Sequence, residues 1–341
     1  MRNSRMTLIL MVIGLSIAAS AQSYKVTNRI PILGDSGWDY LVADSANRQL
    51  YVSHGGSVEV VNLDTQKPIG TITGMNRIHG IAVADDLNRG FVSDGGDNVI
   101  VIFDLKSHAV LQKVKAGTGP DAILFDPVTK RVFAFNGRSQ NITAMDAASG
   151  KVTGTIELEG RPEFPVSDGK GKIYANIEDK NEIAEINPST LKVENRWSLA
   201  PCEGPSGLAI DTSARRLFPV CSNQKMMVVD ADSGKIVATV PIGNGPDSAH
   251  FDAKKKLVFS PNGRDGTLTV IKQDSPDKYS VLETIPTEKS ARTMALDTET
   301  HNLFFSAAQF GPAPAPTAEN PRPRPKIVPG SFHVLVVSPA L

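Results

Sequence analysis

A single unit recurs along this chain with a period of roughly 40 to 45 residues. A short turn containing Pro and Asp leads into an apolar strand that ends in Asp. A basic-apolar hairpin and a second strand follow, then a polar turn, a Val/Ile-rich third strand and a short outer strand. Gly119-Pro120-Asp121-Ala122-Ile123-Leu124-Phe125-Asp126 reappears as Gly245-Pro246-Asp247-Ser248-Ala249-His250-Phe251-Asp252. Lys130-Arg131-Val132-Phe133-Ala134 reappears as Lys256-Leu257-Val258-Phe259-Ser260. Four short strands per unit cannot bury both faces alone, so the units must stack radially, which predicts an all-β propeller.

The leading turn and first strand recur at Trp38-Asp39-Tyr40, Ile78-His79-Gly80, Pro120-Asp121-Ala122, Pro162-Glu163-Phe164, Pro205-Ser206-Gly207, Pro246-Asp247-Ser248 and Ala291-Arg292-Thr293. Seven units predict seven four-stranded blades. The chain ends soon after the third strand of unit seven, so that blade lacks an outer strand of its own. Tyr24-Lys25-Val26-Thr27-Asn28-Arg29-Ile30 reads like the outer strand Lys151-Val152-Thr153-Gly154-Thr155-Ile156. The N-terminal strand is therefore expected to complete the last blade and close the ring.

Second strands such as Tyr51-Val52-Ser53-His54, third strands ending in Asp and the Gly-Pro-Asp turns resemble the bacterial YVTN-type β-propeller family. The likeness covers nearly all of the chain after residue 21 and implies the scaffold, with no catalytic residue carried over. Members of that look include surface and periplasmic binding proteins. Related seven-bladed propellers occur as lactonases and amine dehydrogenase subunits.

Ahead of the repeats, Arg2 and Arg5 precede an apolar stretch from Thr7 to Ala18, and Ala19-Ser20-Ala21 fits a small-residue cleavage site. Residues 1–21 read as a secretory signal peptide, leaving a propeller of residues 22–341 in the periplasm or outside the cell with no membrane span. Export permits a disulfide between Cys202 and Cys221, which flank the first and second strands of one hairpin. The 36 basic and 36 acidic residues balance, which disfavours a nucleic-acid binder working through a net basic field.

The leading turns of a propeller ring the mouth of its central channel. Read down the repeats, that position is Asp39, His79, Asp121, Glu163, Ser206, Asp247 and Arg292. Converging carboxylates repel, so they would hold a proton or a hard cation such as Ca²⁺; alternatively they line a solvated rim, with Asp favoured because it caps turns. No resident cofactor is otherwise expected. Arg138 and Arg264 follow Asn-Gly in equivalent repeats; they would hold an anion, or pair with a neighbouring blade's Asp.

One segment breaks the repeat. Residues 310–330, between the second and third strands of blade seven, contain Pro312, Pro314, Pro316, Pro321, Pro323, Pro325 and Pro329, and a basic run of Arg322, Arg324 and Lys326. Such an insert reads either as a lid over the mouth, its cations facing the acidic ring, or as a solvated or partner-docking loop. No nucleophile elbow, zinc-protease motif or phosphate loop is present. The expectation is a non-catalytic binding module for a small molecule or periplasmic protein. The alternatives are a metal-assisted hydrolase of the lactonase type and a cofactor-free subunit of a periplasmic redox enzyme.

Overall fold

The computed structural model describes residues 24–317 and 323–340. The proposed signal peptide, Arg322 and the middle of the Pro-rich insert lie outside those residues. Seven antiparallel four-stranded sheets form the ring. Blade 1 comprises Trp38–Asp44, Gln49–His54, Ser57–Asn62 and Lys67–Ile72, and blades 2 to 6 repeat that up-and-down order. Blade 7 is assembled from Met294–Leu296, Leu303–Ala307, His333–Pro339 and, as its outer strand, Tyr24–Pro31. That closing strand pairs Tyr24 with Pro339 and Pro31 with His333, with a bulge between Val26 and Asn28.

Burial follows strand position within the blade. Second strands are buried along almost their whole length, as in Leu303–Ala307 and Ile173–Ile177, because a neighbouring blade covers each face. Outer strands such as Val110–Lys115 keep one buried residue, Val114, and expose the rest. The core is accordingly a set of clusters between adjacent blades. One joins Trp38, Leu41, Leu50 and Val52 of blade 1 to Phe304, Val334 and Val336 of blade 7, across the closure of the ring.

The far ends of the first strands form a ring of buried carboxylates that cap turns. Asp126 Oδ2 accepts from the Thr129 N–H at 2.9 Å and hydroxyl at 2.7 Å. Asp297 receives both terminal nitrogens of Arg48 at 2.9 Å, Asp168 receives Arg215 at 2.7 Å, and Asp252 meets His301 Nδ1 at 2.5 Å. Buried charge is tolerated here because each carboxylate has donors in place. On the opposite face of blade 5, Cys202 and Cys221 form a disulfide with their Cα atoms 5.6 Å apart. No helix among the described residues is long and apolar enough to cross a membrane.

Candidate functional site

Six of the seven leading-turn positions bring ionisable side chains together at one mouth of the channel. All six are half-buried. His79 Nδ1 lies 2.6 Å from Asp39 Oδ2 and 3.5 Å from Asp121 Oδ1. Arg292 donates from Nε to Asp247 at 2.6 Å and from a terminal nitrogen to Asp39 Oδ1 at 3.3 Å. The seventh position, Ser206, is occupied differently: its hydroxyl donates to the Pro246 carbonyl at 3.0 Å and ties blade 5 to blade 6.

The carboxylates outnumber the cations that reach them, and their protonation reflects it. Burial, reinforced by the charge of Asp39, pushes Asp121 up to about 7 even though His79 pulls it down. Its Oδ1 makes no hydrogen bond. Burial likewise pushes Glu163 up to about 10, helped by the charge of Asp121 and by a hydrogen bond with Glu178. A carboxyl so placed is neutral at pH 7 and donates to its neighbour, as two close carboxyls sharing one proton do. Burial and Asp39 also raise Asp247, against the pull of Arg292. For His79, burial disfavours the charged form, but the hydrogen bond to Asp39 and the charges of Asp121 and Asp39 outweigh it, so its pKa rises; Arg77 opposes that rise.

Two side chains missed in the sequence close the channel beneath this ring. Tyr40 of blade 1 and Phe164 of blade 4 meet with ring centroids 5.1 Å apart. Both stand one residue after a ring position. The equivalent residues in the other blades are Gly80, Ala122, Gly207, Ser248 and Thr293, all small. A Cβ added at Gly80 would lie 2.8 Å from the Asp121 carbonyl oxygen, and one at Gly207 would lie 2.3 Å from Ser248 Cα. Neighbouring first strands therefore approach too closely for a side chain there, and the two aromatic rings fill the space between them.

Side chains of the turns between second and third strands, on the same face, separate into structural and open ones. His54 is buried and stacks on Phe332 with centroids 4.2 Å apart, and burial lowers its pKa. Asn136 and Asn262 bond across their own hairpins, to Thr143 and Thr269. Arg138 and Arg264 are exposed, with their stems against Gly119 and Gly245. Neither has an ion-pair partner among the described residues, so pairing with a neighbouring blade's Asp does not occur. Arg264 helps line a cavity of about 350 Å³ with Asp247 and Arg292. Arg138 stands away from that cavity.

A larger cavity of about 750 Å³ opens beside the ring, at blades 1 and 2. Asp39, His79 and Arg292 line it from the ring side, and Phe310, Arg324 and Ile327 from the insert. The two legs of the insert are pinned together there: Gly311 N donates to the Lys326 carbonyl and Val328 N to the Gln309 carbonyl, both at 2.9 Å. Of the insert's cations, Arg324 thus reaches the cavity, Lys326 is exposed, and Arg322 lies outside the described residues.

Arg77, also on the cavity wall, was overlooked in the repeat. It stands two residues before its ring position, His79, where blades 3, 5 and 6 place Gly119, Gly204 and Gly245. Blade 4 also carries an arginine in that column, Arg161, which pairs with Glu178.

Asp39, His79 and Asp121 each offer a ligand atom within 4.8 Å of the others, so the three could hold a metal ion. No family model matches the chain, and no curated protein matches it. Among solved structures it is similar to a chain of hydrazine synthase from Kuenenia stuttgartiensis, with a TM-score of 0.69, 16% identity, and coverage of 80% of this chain and 94% of that one. At that identity the likeness shows the seven-bladed fold alone.

Proposed function

We propose that this chain is an exported, non-catalytic binding module that takes a small molecule at its channel mouth. The observation that carries the reading is the 750 Å³ cavity in which leading turns of blades 1, 2 and 7 meet the legs of the insert. Its volume suits a drug-sized ligand, and the first residues of strands Trp38–Asp44 and Ile78–Ala84 form part of its wall. Export to the periplasm or beyond is supported by the signal-like residues 1–21 and by the disulfide. The resemblance to YVTN-type propellers, with their surface and periplasmic binding proteins, agrees with it.

A thermal-shift screen of water-soluble metabolites tests this. Compounds that stabilise the wild-type protein should lose at least about fivefold in affinity with Phe310→Ala. Binders indifferent to that substitution, and to Ile327→Ala, would put the ligand elsewhere and contradict the reading.

A second reading rests on Asp39, His79 and Asp121, as metal ligands of a hydrolase of the lactonase type. One imidazole and two carboxylates suit a borderline divalent ion such as Zn²⁺ or Mn²⁺ better than Ca²⁺, which takes six to eight oxygen ligands. The metal would supply Lewis acidity, and Asp39, His79 and Asp121 would hold it. Element analysis of protein purified without chelators, with lactone and ester hydrolysis measured alongside, separates the two. Substoichiometric metal and no turnover would remove the hydrolase. The third reading, a cofactor-free subunit of a periplasmic redox enzyme, has no residue in its favour.

A further inference from the structure

We propose that the 750 Å³ cleft selects an organic anion, a carboxylate, sulfonate or phosphate ester borne on an apolar or aromatic body. The proposal rests on the cleft being the ligand site and adds the chemistry of what enters it.

Cations dominate the cleft wall. Arg77, Arg292 and Arg324 line the cleft, against one carboxylate, Asp39. Asp39 is already engaged by His79 at 2.6 Å and by Arg292 at 3.3 Å. Arg77 and Arg324 have no ion-pair partner among the described residues, and both are exposed. Behind the wall, Asp94 accepts from Asn76 N at 2.9 Å, Asp97 accepts from Asn76 Nδ2 at 3.2 Å, and Asp121 lies 3.5 Å from His79. Among the residues that line the cleft, two guanidiniums are therefore free and no carboxylate is.

Arg77 has a left-handed backbone. Its φ is +52°, in the left-handed region where Gly119, Gly204 and Gly245 supply the equivalent residue at +64°, +55° and +75°. A glycine would adopt that conformation without steric cost. Blade 7 places Ser290 there at +81°, so the turn sets the conformation, and in blade 2 it presents a guanidinium at the mouth.

The cleft also offers apolar surface. Phe310 is 46% exposed and its ring lies 5.9 Å from that of Trp38, with Ile327 beside them on the cleft wall. A half-exposed aromatic next to two free guanidiniums matches a ligand with an apolar body and an anionic head. Guanidinium groups recognise carboxylate and phosphate oxygens in a planar, paired geometry.

The test uses a matched set: 4-(trifluoromethyl)phenylacetate, its neutral amide, and the corresponding phenethylammonium. Binding is followed by fluorine NMR. Location is read from tryptophan emission in a Trp197→Phe background, which leaves Trp38 as the sole reporter of the two tryptophans. The acid should bind at least about tenfold more tightly than the amide or the amine, and shift Trp38 emission. Arg77→Gln/Arg324→Gln should erase that preference while leaving the amide's affinity unchanged. If the amide binds as well as the acid and still moves Trp38 emission, the anion proposal is overturned and the cleft stands as a site. Binding that leaves Trp38 emission unmoved overturns the proposal and the cleft assignment together. Failure of the acid to bind at about 10 mM overturns the proposal, and the metabolite screen then decides the cleft on its own.

Discussion

The strand Pro120–Asp126 carries an aspartate near each end, and the two sit in opposite electrostatic settings. Asp126 is buried, yet it accepts from the Thr129 N–H and hydroxyl and from Ser167 Oγ, all within 2.9 Å. Asp121 is half-buried and faces Asp39 across His79, with one oxygen unbonded and its pKa pushed to about 7. Blade 2 departs from this contrast, since its first strand ends in Ala84 and burial and Asp44 raise Asp85, but other blades keep it. At the lower face Asp297 is held below the usual carboxylate range: burial works against ionisation, and Arg48, Thr300 and Ser45 more than offset it. At the mouth, Glu163, Asp247 and Asp121 are all raised. One ring of acids is satisfied by its own turns and by Arg and His side chains of neighbouring blades, and serves the fold. The other is crowded at the channel axis and costs the fold stability, which is the pattern of a site kept for another purpose.

Four variants sharpen or break that contrast. The largest effect belongs to Asp297→Ala, which removes the buried partner of Arg48 and should cost about 3 kcal/mol in urea unfolding. A loss below about 1 kcal/mol would mean the lower ring is not structural.

Glu163→Gln should act in the opposite direction. A carboxyl with a raised folded pKa holds a proton that the unfolded chain releases, so stability falls as pH climbs from the unfolded value near 4.3 towards about 10. The substitution should therefore stabilise the protein by at least about 2 kcal/mol at pH 8 and by nothing at pH 4. Asp121→Asn follows the same sign over the narrower window from about pH 4 to about 7, with a gain on the order of 1 kcal/mol at pH 8. Midpoints of thermal unfolding at pH 4 and pH 8 check both, and destabilisation at pH 8 would contradict the crowding account.

The smallest effect is expected from Arg138→Gln/Arg264→Gln. Both side chains are exposed and without ion pairs among the described residues, so stability should stay within about 0.5 kcal/mol of wild type.

Much of the fold could be read from the repeat, because strand alternation and turn chemistry are local. Tyr24–Ile30 could be recognised as an outer strand by its likeness to Lys151–Ile156, and the ring closes with it. The ring residues were legible as a column of equivalent positions. Their partners were not. Arg292 meets Asp39, 253 residues away, and Tyr40 meets Phe164 across the channel. Such contacts are set by which blades face each other once the ring closes, and no spacing in the chain encodes them. The Glu163–Glu178 pairing was out of reach for a related reason: both residues are on the mouth face by pattern, but the raised pKa of Glu163 depends first on burial.

The most direct measurement is a ¹³C NMR titration of the carboxyl groups in Asp- and Glu-labelled protein, assigned with the Asp121→Asn and Glu163→Gln variants. The account predicts that Asp121 titrates near about 7 and Glu163 near about 10, while Asp297 shows no step above the usual carboxylate range. Mouth carboxyls that all titrate below about pH 5, in step with ordinary side chains, would contradict it.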